Sequence, residues 1–329
     1  MYCLFIMKII LSYEEIDALR TLVQNIGVCP YEFPDVFCEE MKQQIPNIPE
    51  NIQRLFMDFK TRNHEDGFLL LHIRPREVDF TPYTPESNIQ NVGGTTDLAK
   101  IQALLMNFMG TMVAYEAEGN GNLFQDIVPV KTMVHEQTST GSNYELEIHT
   151  EQAFSNLRPD VLSLACLRGD EDAWTYVLHY RDLLKHMQED EIEMLKQPLW
   201  KIGVDLSFKM HGKGWIDGEL RGPFPILQGT DEMPKLVFDQ DLMHGISEKA
   251  NALIDKVVDI YYKYRNACNL IGGDIIFIHN QTSVHGRSSF SPKFDGLDRF
   301  LVRSFLVFDA EHIQHACLEK KHVISAIYS

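Results

Sequence analysis

The sequence predicts a mainly β fold, a sandwich or barrel with helices over its outer face, and three observations carry that prediction. Short apolar runs separated by turns recur from Ile127 to Phe308, as expected of many short strands. Only two stretches in that span, about Leu183 to Lys196 and Ser247 to Tyr264, have helical spacing. Roughly the first 120 residues are instead mostly helical in pattern. With 329 residues the chain is long enough to bury a sizeable core. It reads as one domain (1–329), with a helical N-terminal part (about 1–120) and a β core (about 121–329). An insertion near 210–244 has the Gly and Pro content of a mobile lid.

Taken in order, Ser12 and Glu15 form a capping-box pattern ahead of a helix over Tyr13 to Ile26. A second helix is expected from Pro49, a first-turn residue, to Arg62. Gly67 to Ile73 is a short apolar run closed by Pro75 and reads as a buried strand. The polar stretch from Thr81 to Gly94 reads as a surface loop, and Asp97 to Ala114 as a helix. After Gly119-Asn120-Gly121-Asn122, strands are expected over Ile127 to Val134, Glu145 to Thr150, Val161 to Leu167, Trp174 to Leu178, Trp200 to Phe208, Leu236 to Phe238, Asp274 to His279 and Phe300 to Phe308.

Composition removes several function classes. A formal charge of −17 argues against nucleic acid or an anionic membrane as partner, since both reward clustered Lys and Arg. The six cysteines are scattered without a C-x-x-C pair, so neither a zinc site nor a disulfide framework is indicated. A reducing, cytoplasmic setting fits them best. The apolar run Tyr2 to Leu11 is too short to span a bilayer and has no basic n-region or cleavage site of a signal peptide.

The stretch Leu146 to Glu151 alternates and ends in His149-Thr150-Glu151. Residues two apart on a strand share a face, so an imidazole and a carboxylate project together. Two His plus one carboxylate, with open coordination positions, suits non-heme Fe(II) oxygen chemistry. The same form at His64-Glu65-Asp66 lies in a polar turn, where a solvated loop explains it, and His149 beside Glu151 could equally be a satisfied hydrogen-bonded pair. A distant His is the missing ligand. In Gly272 to Phe308, a Gly-Gly-Asp turn and a buried strand are followed by a loop with His285 at its end, then by a strand carrying Arg299 and Arg303. A 2-oxo acid chelated by iron needs a fixed cation for its far carboxylate, and Arg offers the bidentate geometry that Lys lacks.

Phe124 to Pro129, Ser139 to Phe154, Arg158 to Arg168 and His285-Gly286-Arg287 through Arg303 resemble the clavaminate synthase-like branch of the Fe(II)/2-oxoglutarate dioxygenases. With the helices ahead of them, these segments span most of the chain. The resemblance implies a double-stranded β-helix (jelly-roll, cupin-like) core. It also implies that His149, Glu151 and His285 bind Fe(II), with 2-oxoglutarate and O2 as cosubstrates. Arg299, fourteen residues after His285, would pair with the distal carboxylate of 2-oxoglutarate, and Thr175 would offer it a hydroxyl. Arg303, with Ser139 nearby, would clamp the carboxylate of a free amino acid, whose α-amine would meet Glu151 and Gln125. Structural alternatives stand beside these roles: an ion pair for Arg303, packing for Thr175, turn hydrogen bonds for Ser139 and an ordinary loop position for Gln125. His312 and His315 have helical spacing but read as surface residues of a C-terminal helix.

Asp239 and Asp241 would project to one side of an extended segment, and two carboxylates in an enclosed pocket call for a cation between them. The segment resembles lids that read the charge of basic amino acids, although a solvated acidic loop explains it as well. The resemblance therefore points to hydroxylation of a free basic L-amino acid, with L-lysine at C4 first, and succinate and CO2 as coproducts. Arginine C3 hydroxylation or desaturation, and a non-catalytic β-helix binding protein, are the competing readings. Many members self-associate, so a homo-oligomer is among the forms to test.

Overall fold

The computed structural model describes residues 8–61, 66–76, 79–213, 216 and 218–328. His64, Glu65 and Cys3 lie outside them. Two antiparallel-dominated sheets organise the chain. The larger has eight strands in the order Ile9–Ile10, Phe68–His72, Asp274–His279, Val161–Arg168, Phe300–Val307, Thr111–Tyr115 and Val323–Ile324, with Gln125–Ile127 also paired to Phe300–Val307. The smaller has four, in the order Asn266–Asn269, Trp174–His179, Ser283–Arg287 and Leu146–His149. This is the mainly β, helix-flanked architecture the sequence predicts. The sheets are separate layers of a jelly roll, so the choice between sandwich and closed barrel falls to the sandwich.

Period-2 alternation sorts the large sheet's side chains onto two faces. On Val161–Arg168, Val161, Ala165 and Leu167 join the cluster that holds the N-terminal helices, whereas Leu162, Leu164 and Cys166 join the cluster shared with the small sheet. Phe300, Val302 and Leu306 follow the first set and Leu301, Phe305 and Val307 the second. The helical layer comprises Tyr13–Gln24, Pro34–Gln44, Glu50–Lys60 and Asp97–Met109. Phe56 packs edge-on against Phe277 at 4.9 Å between ring centroids, fastening one helix to the sheet. Helix Glu248–Tyr264 buries Ala250, Leu253, Val257 and Tyr261 in the cluster that also contains Val177 and Val284 of the small sheet.

The capping box forms as expected: Ser12 Oγ accepts from the Glu15 N–H at 3.2 Å, and Glu15 accepts from the Ser12 N–H at 2.7 Å. Several boundaries differ from expectation. The helix from Asp97 stops at Met109, and Thr111–Tyr115 is a strand. Gly110 makes that break possible, because a Cβ there would collide with the Val307 carbonyl. The strand expected over Ile127 to Val134 is Gln125–Ile127 followed by a 3-10 turn at Lys131–Met133. Trp200–Gly203 is a strand, but Asp205 caps the short helix Leu206–His211 through its side chain, ending the run expected to reach Phe208. The Leu183 to Lys196 stretch holds two short helices, Tyr180–Leu184 and Glu189–Leu195. Pro34–Gln44, a helix that the sequence pattern did not indicate, opens with Pro at its first turn.

The 210–244 stretch carries strands Leu220–Phe224, Leu227–Gly229 and Pro234–Leu236. Its far end is tied to the small sheet: Asp239 forms a β-bridge with His149, the Thr150 N–H donates to the Phe238 carbonyl at 2.7 Å, and the Gln240 N–H donates to Ile148 at 3.0 Å. Among the described residues no helix is long and apolar enough to cross a membrane. The five described cysteines are free thiols.

Candidate metal centre

Strand register builds the centre. His285 is in the middle of Ser283–Arg287, rather than at the end of a loop, and is directly paired with His149 across the ladder. Gly286 follows at a register shift, where a Cβ would lie 2.7 Å from the Leu146 carbonyl, so the close approach of these strands needs glycine. Glu151 stands two residues past His149, in the turn that closes its strand. The three side chains offer ligand atoms that all lie within 4.8 Å of one another. His285 Nε2 is 3.6 Å from Glu151 Oε2, and the imidazoles are 4.3 Å apart at their centroids.

The protonation states suit a cation. His149 Nδ1 lies 2.8 Å from the Glu147 carbonyl. A carbonyl only accepts, so Nδ1 carries the proton and Nε2 keeps its lone pair for a metal. Burial and the neighbouring His149 push the His285 imidazole down to about 4 against the pull of Glu151, leaving it neutral near pH 7. Burial raises the Glu151 carboxyl, but Arg303 and the two neighbouring imidazoles outweigh it and hold the group at about 2. Two imidazoles and one carboxylate are a fitting set for a divalent ion.

The centre opens into a cavity of about 670 Å³ between the sheets, lined by Leu162, Leu164 and Leu301 of the large sheet and by Thr175 of the small one. All ten residues singled out in the sequence border it: besides the three candidate ligands these are Thr175, Arg299, Arg303, Ser139, Gln125, Asp239 and Asp241. Arg299 is 5% exposed, and among the described residues no carboxylate lies within ion-pair distance of it. A buried guanidinium without a counter-ion costs several kcal/mol, so the site is built for an anion. Thr175 Oγ1 is buried without a partner and lines the same cavity. Arg303 is held by Glu118, by Gln125 through Nε at 3.1 Å, and by Glu151 through Nη1 at 3.5 Å. Gln125 keeps its Nε2 buried and unpartnered.

Sequence reasoning missed three wall residues. Glu118 is buried beside Arg303, and burial, opposed by that guanidinium, raises its carboxyl to about 7. Asp205 borders the cavity with its carboxyl raised by burial, and accepts from the Ser207 N–H at 3.1 Å through one oxygen. Arg287 is pinned by the Gly141 carbonyl at 2.7 Å. Nothing local distinguishes Glu118 or Asp205 among 47 acidic residues; Arg287 stood in the His285-Gly286-Arg287 motif. Asp239 is half-buried on the cavity wall, its carboxyl raised by burial, against the pull of His149, to about 7. Asp241, by contrast, is exposed at the rim. His312 and His315 are exposed, with His312 Nε2 3.1 Å from the Asn156 carbonyl.

No family model matches the chain. An L-lysine 3-hydroxylase from Catenulispora acidiphila is 45% identical over 321 residues, covering 98% of this chain and 89% of the relative. An L-lysine 4-hydroxylase from Flavobacterium sp. is 24% identical over 290 residues, covering 82% of this chain and 76% of the relative. Among solved structures, an asparagine oxygenase in complex with Fe(II), 2S,3S-3-hydroxyasparagine and succinate superposes with a TM-score of 0.88 at 24% identity, covering 97% of this chain and 99% of that one. That likeness extends the jelly-roll architecture to nearly the whole chain.

Proposed function

The chain belongs to the clavaminate synthase-like Fe(II)/2-oxoglutarate amino-acid oxygenases, and we propose that it hydroxylates a side-chain carbon of free L-lysine. The 45% identity to an L-lysine 3-hydroxylase over 98% of the chain carries the proposal. It favours C3 over the C4 expected from sequence, because the 4-hydroxylase relative is 24% identical.

His149 through Nε2, Glu151 and His285 would hold the iron. Bound iron and 2-oxoglutarate supply the oxidising chemistry, in which O2, the oxo acid and a substrate C–H become succinate, CO2 and a C–OH. The protein supplies position and exclusion of water. Arg299 would take the distal carboxylate of 2-oxoglutarate, assisted by the free Thr175 hydroxyl. Arg303 and Ser139 orient the substrate carboxylate, while Gln125, Glu118 and the second oxygen of Glu151 face its α-amine. Asp239, half-buried and joined to the metal strand by its β-bridge, receives the distal ammonium, and Asp205, another carboxylate on the cavity wall, shares it. Asp241, at the rim, steers the cation inward. A cytoplasmic setting, where lysine and 2-oxoglutarate are available, agrees with the free thiols.

The test is an aerobic assay with Fe(II), 2-oxoglutarate and each free amino acid, scoring succinate and a one-oxygen mass gain. L-Lysine should give both, with the hydroxyl at C3 by NMR. Turnover of arginine alone would move the substrate assignment, a 4-hydroxy product would move the position, and no turnover with any amino acid would sink the hydroxylase reading.

A further inference from the structure

Glu151 lies beyond the end of its strand, so the sheet ladder that fixes His149 does not fix this ligand. Its backbone is buried, and buried N–H and C=O groups need partners. One side chain supplies both. Asn280 Oδ1 accepts from the Glu151 N–H at 2.8 Å, and Asn280 Nδ2 donates to the Glu151 carbonyl at 3.1 Å. The amide thereby reproduces the paired contacts of an antiparallel neighbour strand.

Asn280 is itself immobilised. It is fully buried, its Nδ2 also donates to the Pro159 carbonyl at 2.8 Å, and its backbone N–H donates to the Asp160 carbonyl at 2.9 Å. It also begins the turn between Asp274–His279 of the large sheet and Ser283–Arg287 of the small one, and the latter carries His285. One residue therefore spans the two halves of the candidate centre. We propose that Asn280 is the positioning residue of the metal centre: its side-chain amide sets the backbone of Glu151, and so where that carboxylate stands relative to His149 and His285. Outer-shell partners of this kind typically govern metal affinity by 10- to 100-fold.

The inference rests on the three residues binding iron, and its test separates the two ideas. Anaerobic Fe(II) titration of the wild-type protein examines the first: a chain with no Fe(II) affinity would remove both. The second is read from the ratio of variant to wild type. Asn280→Asp keeps the size and the acceptor but replaces the donor with an oxygen facing two carbonyls; Asn280→Ser shortens the side chain and loses both contacts. Each should weaken Fe(II) binding about 10- to 100-fold and perturb the d–d spectrum of Co(II) in the site. With iron saturating, KM for 2-oxoglutarate should stay within about twofold, because Arg299 and Thr175 are not touched. A merely structural Asn280 would lower the melting temperature of the metal-free protein while leaving Fe(II) affinity and the Co(II) spectrum of either folded variant at wild-type values, and that outcome would overturn the proposal.

Discussion

The two faces of the large sheet are made by the same strands and do opposite things. Toward the N-terminal helices, Val302, Phe300, Leu306, Ile275 and Phe277 present an apolar surface. Toward the small sheet, the same strand Phe300–Val307 turns Leu301 and Arg303 into the cavity, with Arg299 just ahead of it. Burial on the first face stabilises the fold. On the second it is spent against buried guanidinium groups, one paired with Glu118 and one without a carboxylate partner among the described residues. Period-2 alternation lets one strand serve stability and recognition without either side chain set interfering with the other.

Crossed substitutions test that division. The largest effect on stability should come from Phe277→Ala, which removes the ring that Phe56 packs against and should cost about 3–5 kcal/mol in urea unfolding, with KM for 2-oxoglutarate unchanged in the folded fraction. Arg299→Leu should do the reverse. It should lower kcat/KM for 2-oxoglutarate by an amount equivalent to about 2–5 kcal/mol, while the melting temperature holds or rises, since an uncompensated buried charge is gone. Ser163→Ala is smaller: its hydroxyl accepts from Gln102 at 3.0 Å and donates to the Ile276 carbonyl at 3.1 Å, so a stability loss of about 1–3 kcal/mol is expected without change in either KM. Smallest is Asp241→Asn at the exposed rim, where KM for lysine should rise by a factor equivalent to less than about 1 kcal/mol; Asp239→Asn should exceed it clearly. A stability loss in Arg299→Leu as large as that in Phe277→Ala would break the division.

The site was more legible in the sequence than the element boundaries. Strand spacing put His149 and Glu151 forward, the family resemblance added His285, Arg299 and Arg303, and the register pairing His149 with His285 sets those two side by side. The need for glycine at 110 was hidden because the group that approaches it, the Val307 carbonyl, is far away in sequence. Glu118 and Asp205 were hidden for the same reason: what distinguishes them is enclosure, which only the packed sheets create. Asn280 stood in plain view four residues before Val284, yet its role depends on where the chain after His149 turns.

If this cavity joins iron, 2-oxoglutarate and a cationic amino acid in one centre, anaerobic addition of 2-oxoglutarate to the Fe(II)-loaded protein, followed by visible absorption, will reveal it. A charge-transfer band should appear, saturate at one 2-oxoglutarate per chain and shift when L-lysine is added, but not when its uncharged analogue L-norleucine is added at the same concentration. Absence of the band, or the same response to both amino acids, would contradict it.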